Sequence, residues 1–124
     1  KSVTLVVPEY DEAIKFYVGK LGFVQVEDFW LDNHTKRWVR VAPPGAETAL
    51  LLAQPKNDQE RAAIGNQTGG RVGFFLQTDD FTRDYTAMKA AGVTFKEEPR
   101  HEPYGSVVVF SDPWGNLWDL IEPK

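Results

Sequence analysis

The chain has 124 residues, with 14 Lys and Arg against 18 Asp and Glu, a net charge of −4, two His and no Cys. A chain of this length has the size of one compact domain, which buries roughly two thirds of its unfolded surface. The acidic balance argues against a nucleic-acid or anionic-membrane surface, and the missing cysteines exclude disulfides, zinc knuckles, thiol nucleophiles and iron–sulfur clusters. No apolar run approaches the roughly 18 residues of a membrane span, and no signal-peptide apolar core opens the chain, so a cytoplasmic location is expected.

In chain order, VTLVV (3–7) reads as a strand. Ile14, Tyr17, Val18 and Leu21 follow at i, i+3, i+4 and i+7, predicting one apolar face of a helix. Gly22 lies one residue past that stripe, where a left-handed C-cap favours glycine. Two further apolar stretches, WVRVA (38–42) and TALLLAQP (48–55), are separated by the turn Pro43-Pro44-Gly45.

The pattern then repeats. VGFFLQT (72–78) predicts a strand; Phe81, Tyr85 and Met88 predict a helix, with Asp79 or Asp80 placed to cap it; Gly92 follows as Gly22 does. VVVF (107–110) and NLWDLIEP (116–123) close the second copy around the turn Asp112-Pro113-Trp114-Gly115-Asn116. The expected organisation is one domain over 1–124: module one at 2–55, a polar linker at 56–71 and module two at 72–124. Each module reads as strand, helix and three strands, and neither can cover both faces of its own sheet.

The helix-plus-turn Asp11-Glu12-Ala13-Ile14-Lys15-Phe16-Tyr17 with Leu21-Gly22-Phe23, and the closing Asp112-Pro113-Trp114-Gly115-Asn116-Leu117-Trp118-Asp119-Leu120, resemble the vicinal oxygen chelate superfamily. That superfamily holds glyoxalase I, bleomycin-resistance proteins and extradiol dioxygenases. The resemblance implies an α+β fold in which two tandem βαβββ modules form a curved mixed-sheet cup with the helices outside. It also implies a homodimer and a small organic molecule held in the cup, with no nucleic-acid or membrane partner.

Metal-bearing members resemble one another in four ligand positions, which fall here on Ser2, Leu51, Gly73 and Asp119. Only Asp119 is a strong ligand type, whereas a catalytic zinc uses about three protein ligands and hard cations take more. His34 and His101 both fall in expected loops. No cofactor and no metal site are therefore expected.

The alternation of a strand then places Thr4, Phe75, Gln77 and Asp119 on the cup side, with Leu117 and Ile121 flanking Asp119. Val39 and Val41 fall on the helix side, leaving Trp38 and Arg40 toward the cup, with Tyr104 at its rim. The expected binding residues are thus Thr4, Trp38, Arg40, Phe75, Gln77, Tyr104 and Asp119. Arg40 would attract an anionic or electron-rich group, Phe75 and Trp38 would give apolar contact, and Gln77 with Asp119 would orient polar atoms.

Bland readings stand beside these. Arg40 and Asp119 could pair with each other, Gln77 could be a water-satisfied position at a cavity edge, and His101 a solvated loop residue. Asn33-His34-Thr35 and Asn66-Gln67-Thr68 match a glycosylation pattern without a secretory signal to give it meaning. The leading expectation is a small-molecule-binding protein of the glyoxalase and bleomycin-resistance type without the metal. One rival is a lactoylglutathione-lyase-like isomerase or lyase, with Asp119 as catalytic base or as one metal ligand. The other is an interaction or regulatory module whose pocket is filled by its own side chains.

Overall fold

A computed structural model describes residues 1–32, 34 and 36–124; Asn33 and Thr35, two members of the first glycosylation pattern, lie outside the described residues. The chain forms two compact units, Lys1–Ile64 and Gly65–Lys124.

The first unit contains β1 (Ser2–Val6), α1 (Tyr10–Tyr17), β2 (Val24–Leu31), β3 (Lys36–Ala42), β4 (Ala49–Ala53) and the short α2 (Asp58–Ala62). Its strands lie in the order β1-β4-β3-β2, with β1 parallel to β4 and the other pairs antiparallel. Alternation decides the core: Leu5, Val39, Val41, Leu50 and Leu52 are buried on the face that α1 covers with Ala13, Phe16 and Tyr17. Each such side chain contributes about 1.5–3 kcal/mol when fully buried.

The buried stripe of α1 is not the expected one, because Ile14, Val18 and Leu21 are only half-buried. The helix has just two turns and ends at Tyr17, so Val18 and Leu21 lie beyond it. Its end is closed by Gly22 at φ +79 and by the Phe23 N–H donating to the Tyr17 carbonyl at 2.9 Å.

The second unit contains β5 (Val72–Gln77), α3 (Phe81–Ala90), β6 (Thr94–Phe95), β7 (Arg100–Glu102), β8 (Gly105–Ser111) and β9 (Leu117–Pro123). Strand β5 is parallel to β9, β9 pairs antiparallel with β8, and β6 and β7 pair in succession with the far side of β8. The topology repeats that of the first unit, with β6 and β7 together standing where the first unit has the continuous β2. Pro99, which lacks an N–H, falls in the break between them. The side chain of Glu97 fills the gap: its Oε2 accepts from the Val109 N–H at 3.0 Å.

Trp118, Leu120, Val108 and Phe110 form the core face with Phe81 and Met88 of α3. Asp80 caps α3 by accepting from the Arg83 N–H, and the Glu122 carboxylate accepts from the Phe81 N–H at 2.7 Å. The turn into β9 is built on Asp112, whose Oδ1 accepts from the N–H groups of Trp114, Gly115 and Asn116, while Oδ2 accepts from the Asn116 side-chain amide.

The tandem strand–helix–strands arrangement stands, but the curved cup does not. The strands make two separate sheets, each an open path with two unjoined edges, and neither curls or closes. Among the described residues the ladders shift register at Val26 and at Gly73, and local bulges bend one strand without closing a sheet.

Candidate functional site

Each sheet has one face under its helix and one that no helix of its unit covers. In the first unit the uncovered face carries Ser2 and Thr4 of β1, Leu51 of β4, Trp38 and Arg40 of β3, and Glu27 and Phe29 of β2, as register dictates. Arg40 donates from Nε to Glu27 Oε1 at 2.6 Å and from a terminal nitrogen to Ser2 Oγ at 3.1 Å. The same Glu27 oxygen accepts from the Trp38 indole N–H at 2.9 Å, and Phe29 stacks on Trp38 with ring centroids 6.4 Å apart. Arg40, and after it Trp38, hold the Glu27 carboxyl below its ordinary range. The result is a flat aromatic pair beside a guanidinium already braced by its own carboxylate.

On the second unit the uncovered face carries Phe75 and Gln77 of β5, Asp119 and Ile121 of β9, Val107 and Val109 of β8, and Arg100 and Glu102 of β7. Phe75 is 67% exposed and pairs in register with Asp119. The Oδ1 of Asp119 is shut from solvent and has no hydrogen-bond partner. Burial pushes its carboxyl above the ordinary value; Arg100 opposes that shift and Glu97 adds to it. Arg100 donates from Nε to both Glu97 oxygens at 3.1 Å, lies 3.8 Å from Glu102 and interacts with Tyr104. Glu97, first among these, raises the Arg100 pKa. An unsatisfied acceptor, a guanidinium and an exposed phenyl ring therefore share one sheet face, a chemistry suited to holding a flat polar molecule.

The structure brings Thr4, Trp38 and Arg40 onto one face within the first unit, and Phe75, Gln77 and Asp119 onto one face within the second. Tyr104 lies in the turn between β7 and β8, exposed, and meets that second group through Arg100. Gln77 is exposed, so its amide faces no burial cost. The partner of Arg40 is Glu27, a residue that alternation alone misplaces because the bulge at Val26 shifts the phase of β2.

Arg100 and Glu97 were also missed. The run Pro99-Arg100-His101-Glu102-Pro103 reads as a loop, yet Arg100–Glu102 pairs with β8. His101, the loop histidine of the sequence reading, sits on that strand with Nδ1 2.9 Å from Ser106 Oγ and its ring 6.2 Å from that of Phe81. The alternation Arg100, Glu102 opposite Val107, Gly105 is the signal that two flanking prolines conceal.

The donor set does not fit the divalent metal of the resembling enzymes. Among the described residues no group of three or more His, Asp and Glu is placed to hold an ion. Ser2 Oγ is taken by Arg40, Leu51 has no donor atom, and a Cβ on Gly73 would stand 2.2 Å from Thr68 Cγ2, so no ligand side chain could be placed there without moving Thr68. Among the described residues no helix is long and apolar enough to cross a membrane.

The model of the glyoxalase/bleomycin resistance protein/dioxygenase superfamily matches residues 1–120. An uncharacterised protein of Shewanella frigidimarina is 50% identical over 121 residues, covering 97% of this chain and 90% of its own. A superfamily member from Sphaerobacter thermophilus has a crystal structure that is 35% identical and covers 98% of this chain and 94% of its own, with a TM-score of 0.77. TnmS3, an antibiotic binding protein from Streptomyces sp. CB03234, is 31% identical, covers 98% and 93%, and has a TM-score of 0.73.

Proposed function

The chain belongs to the glyoxalase/bleomycin resistance protein/dioxygenase superfamily, and from that premise we propose that it binds a small, flat organic molecule without a metal. The observation that carries this reading is the pairing of an exposed Phe75 with the buried, unsatisfied Oδ1 of Asp119. An exposed ring beside a shielded acceptor gives apolar contact and one directional hydrogen bond, and each is worth more once a ligand excludes water. In the first unit, Trp38 with Arg40 and Thr4 offers a second apolar and polar surface of the same kind. Gln77 adds an exposed amide beside Phe75, and Tyr104 a phenol at the edge. The similarity to an antibiotic binding protein supports a ligand of that general type.

The reading also takes the protein as a homodimer in the cytoplasm. Val24, Val26, Phe29 and Trp30 are exposed along the edge strand β2, a surface that a second copy would cover.

Titration of the metal-free protein with naphthalene, followed by amide shifts in NMR, tests the reading. Shifts centred on Phe75 and Asp119 that vanish in Phe75→Ala are expected. Shifts confined to other strands would refute the assignment. Saturable stoichiometric binding of a divalent ion would refute the metal-free part, and sedimentation as a monomer the dimer.

One observation favours an enzyme reading as well. Burial moves the Asp119 carboxyl toward the range of a general base, and its free oxygen faces no competing donor. On that reading Asp119→Asn abolishes turnover of an isomerase or lyase substrate, and full turnover in the variant would exclude the role.

A further inference from the structure

The break between β6 and β7 has a chemical consequence. In the first unit β2 continues beside β3 through its bulge, whereas in the second the chain leaves β8 after Lys96, whose N–H still donates to the Val109 carbonyl at 2.9 Å, and rejoins it at Arg100. Glu97 sits in the interval, and its Oε2 takes the Val109 N–H. Val109 is the register partner of Asp119. Arg100 belongs by register to the neighbouring row, opposite Val107 and thence Ile121. Both Glu97 oxygens nevertheless hold Arg100 Nε at 3.1 Å. A carboxylate anchored on the Asp119 row thus draws the guanidinium toward that row.

Two strand spacings, ~10 Å, separate β9 from the far side of β8, and an arginine side chain covers most of that span. What results is an acceptor, Asp119 Oδ1, with a donor, the Arg100 guanidinium, on one face, and an exposed ring to one side.

We propose that Glu97 is a positioning residue that holds Arg100 toward Asp119, so that this face selects a flat ring whose edge carries an N–H beside a C=O, the edge of a cyclic amide. The N–H donates to the Asp119 carboxylate, the C=O accepts from Arg100, and the ring lies on Phe75. A carboxylic acid would place its charge against Asp119, with Glu97 and Glu102 close by, and an aromatic amine would leave Arg100 unanswered. A lactam satisfies both and carries no charge into a face where three carboxylates surround one guanidinium. The proposal rests on the binding reading given above.

The test compares isoquinolone with naphthalene, two fused bicyclic probes of similar size, by NMR titration of the full chain. Isoquinolone is expected to bind about tenfold or more tightly than naphthalene, the effect of hydrogen bonds to charged groups. Glu97→Ala and Arg100→Ala should each reduce that ratio to near one, and an otherwise unchanged amide spectrum of each free variant reports that it is folded. Glu97→Gln, which keeps acceptor oxygen for Val109 and Arg100, should restore part of the ratio. Naphthalene binding with no preference for isoquinolone overturns the cyclic-amide selection but leaves the binding face. A preference that survives Glu97→Ala overturns the positioning role. Failure of both probes to bind overturns the binding face, and the inference with it.

Discussion

Phe75 and Asp119 stand opposite one another across the parallel β5–β9 ladder, a ring two-thirds open to solvent beside a carboxyl whose Oδ1 is closed off and unsatisfied. The pairing is the reverse of what folding alone favours, which would bury the ring and expose the acid. Such inversions of the burial pattern collect at sites that meet a ligand. On the uncovered face of the first unit the acid is Glu27, and there one oxygen, Oε1, accepts from both Arg40 and Trp38.

Asp119 gives the protein a pH-dependent penalty. Its folded-state pKa lies above the unfolded value, so the folded protein holds the proton more tightly and loses stability as pH rises from the ordinary carboxylate range through the folded pKa. Asp119→Asn removes that loss. Its Tm should exceed that of the wild type at pH 7, and the difference should shrink as pH falls toward about 4, the ordinary carboxylate value, and be gone below it. A difference that stays constant across that range would exclude a charged, buried Asp119 as its source.

The Asp112 turn is expected to be the most sensitive polar feature of the second unit. One buried carboxylate serves three backbone N–H groups and the Asn116 amide. Asp112→Ala leaves those donors without their acceptor and should cost about 3 kcal/mol or more. Urea unfolding at constant m-value measures it; a loss below about 1 kcal/mol would mean that water replaces the carboxylate.

Two glycines with nearly equal φ separate backbone strain from packing. Gly65 and Gly69 lie at φ +72 and +74, but an added Cβ at Gly65 would meet the Trp114 carbonyl oxygen at 1.7 Å, and at Gly69 it would meet nothing within 4 Å. Gly69→Ala should cost about 1 kcal/mol, the conformational penalty alone. Gly65→Ala should cost about 3 kcal/mol or more, because the clash is with backbone. Equal losses in thermal unfolding would show that the Gly65 loop moves aside freely.

The Phe29–Trp38 stack depends on Glu27 in the same way. Glu27→Ala removes the acceptor shared by the Trp38 indole and Arg40. Because the residues are partly exposed, the expected stability loss is small, as for a surface ion pair. Trp38 fluorescence should shift to longer wavelength as the indole N–H turns to water, and an unchanged spectrum would separate the stack from the carboxylate.

The sequence by itself determined the duplicated unit, because period-two strands, glycine-terminated helices and the turn Asp112–Asn116 are local patterns whose physics needs no distant partner. Alternation along β9 also places Leu117 and Ile121 on the face of Asp119. Four things waited on the tertiary structure. The sheets stay open because closure is a property of edge pairing between strands, which no single strand encodes. The partner of Arg40 is Glu27 because a bulge at Val26 resets the phase of β2. The stripe of α1 runs through Ala13, Phe16 and Tyr17 because a two-turn helix can turn more than one apolar face inward, and the sheet beneath it chooses. Arg100 comes onto the face of Asp119 because a strand broken at Pro99 rejoins its neighbour, and only the neighbour's register says where.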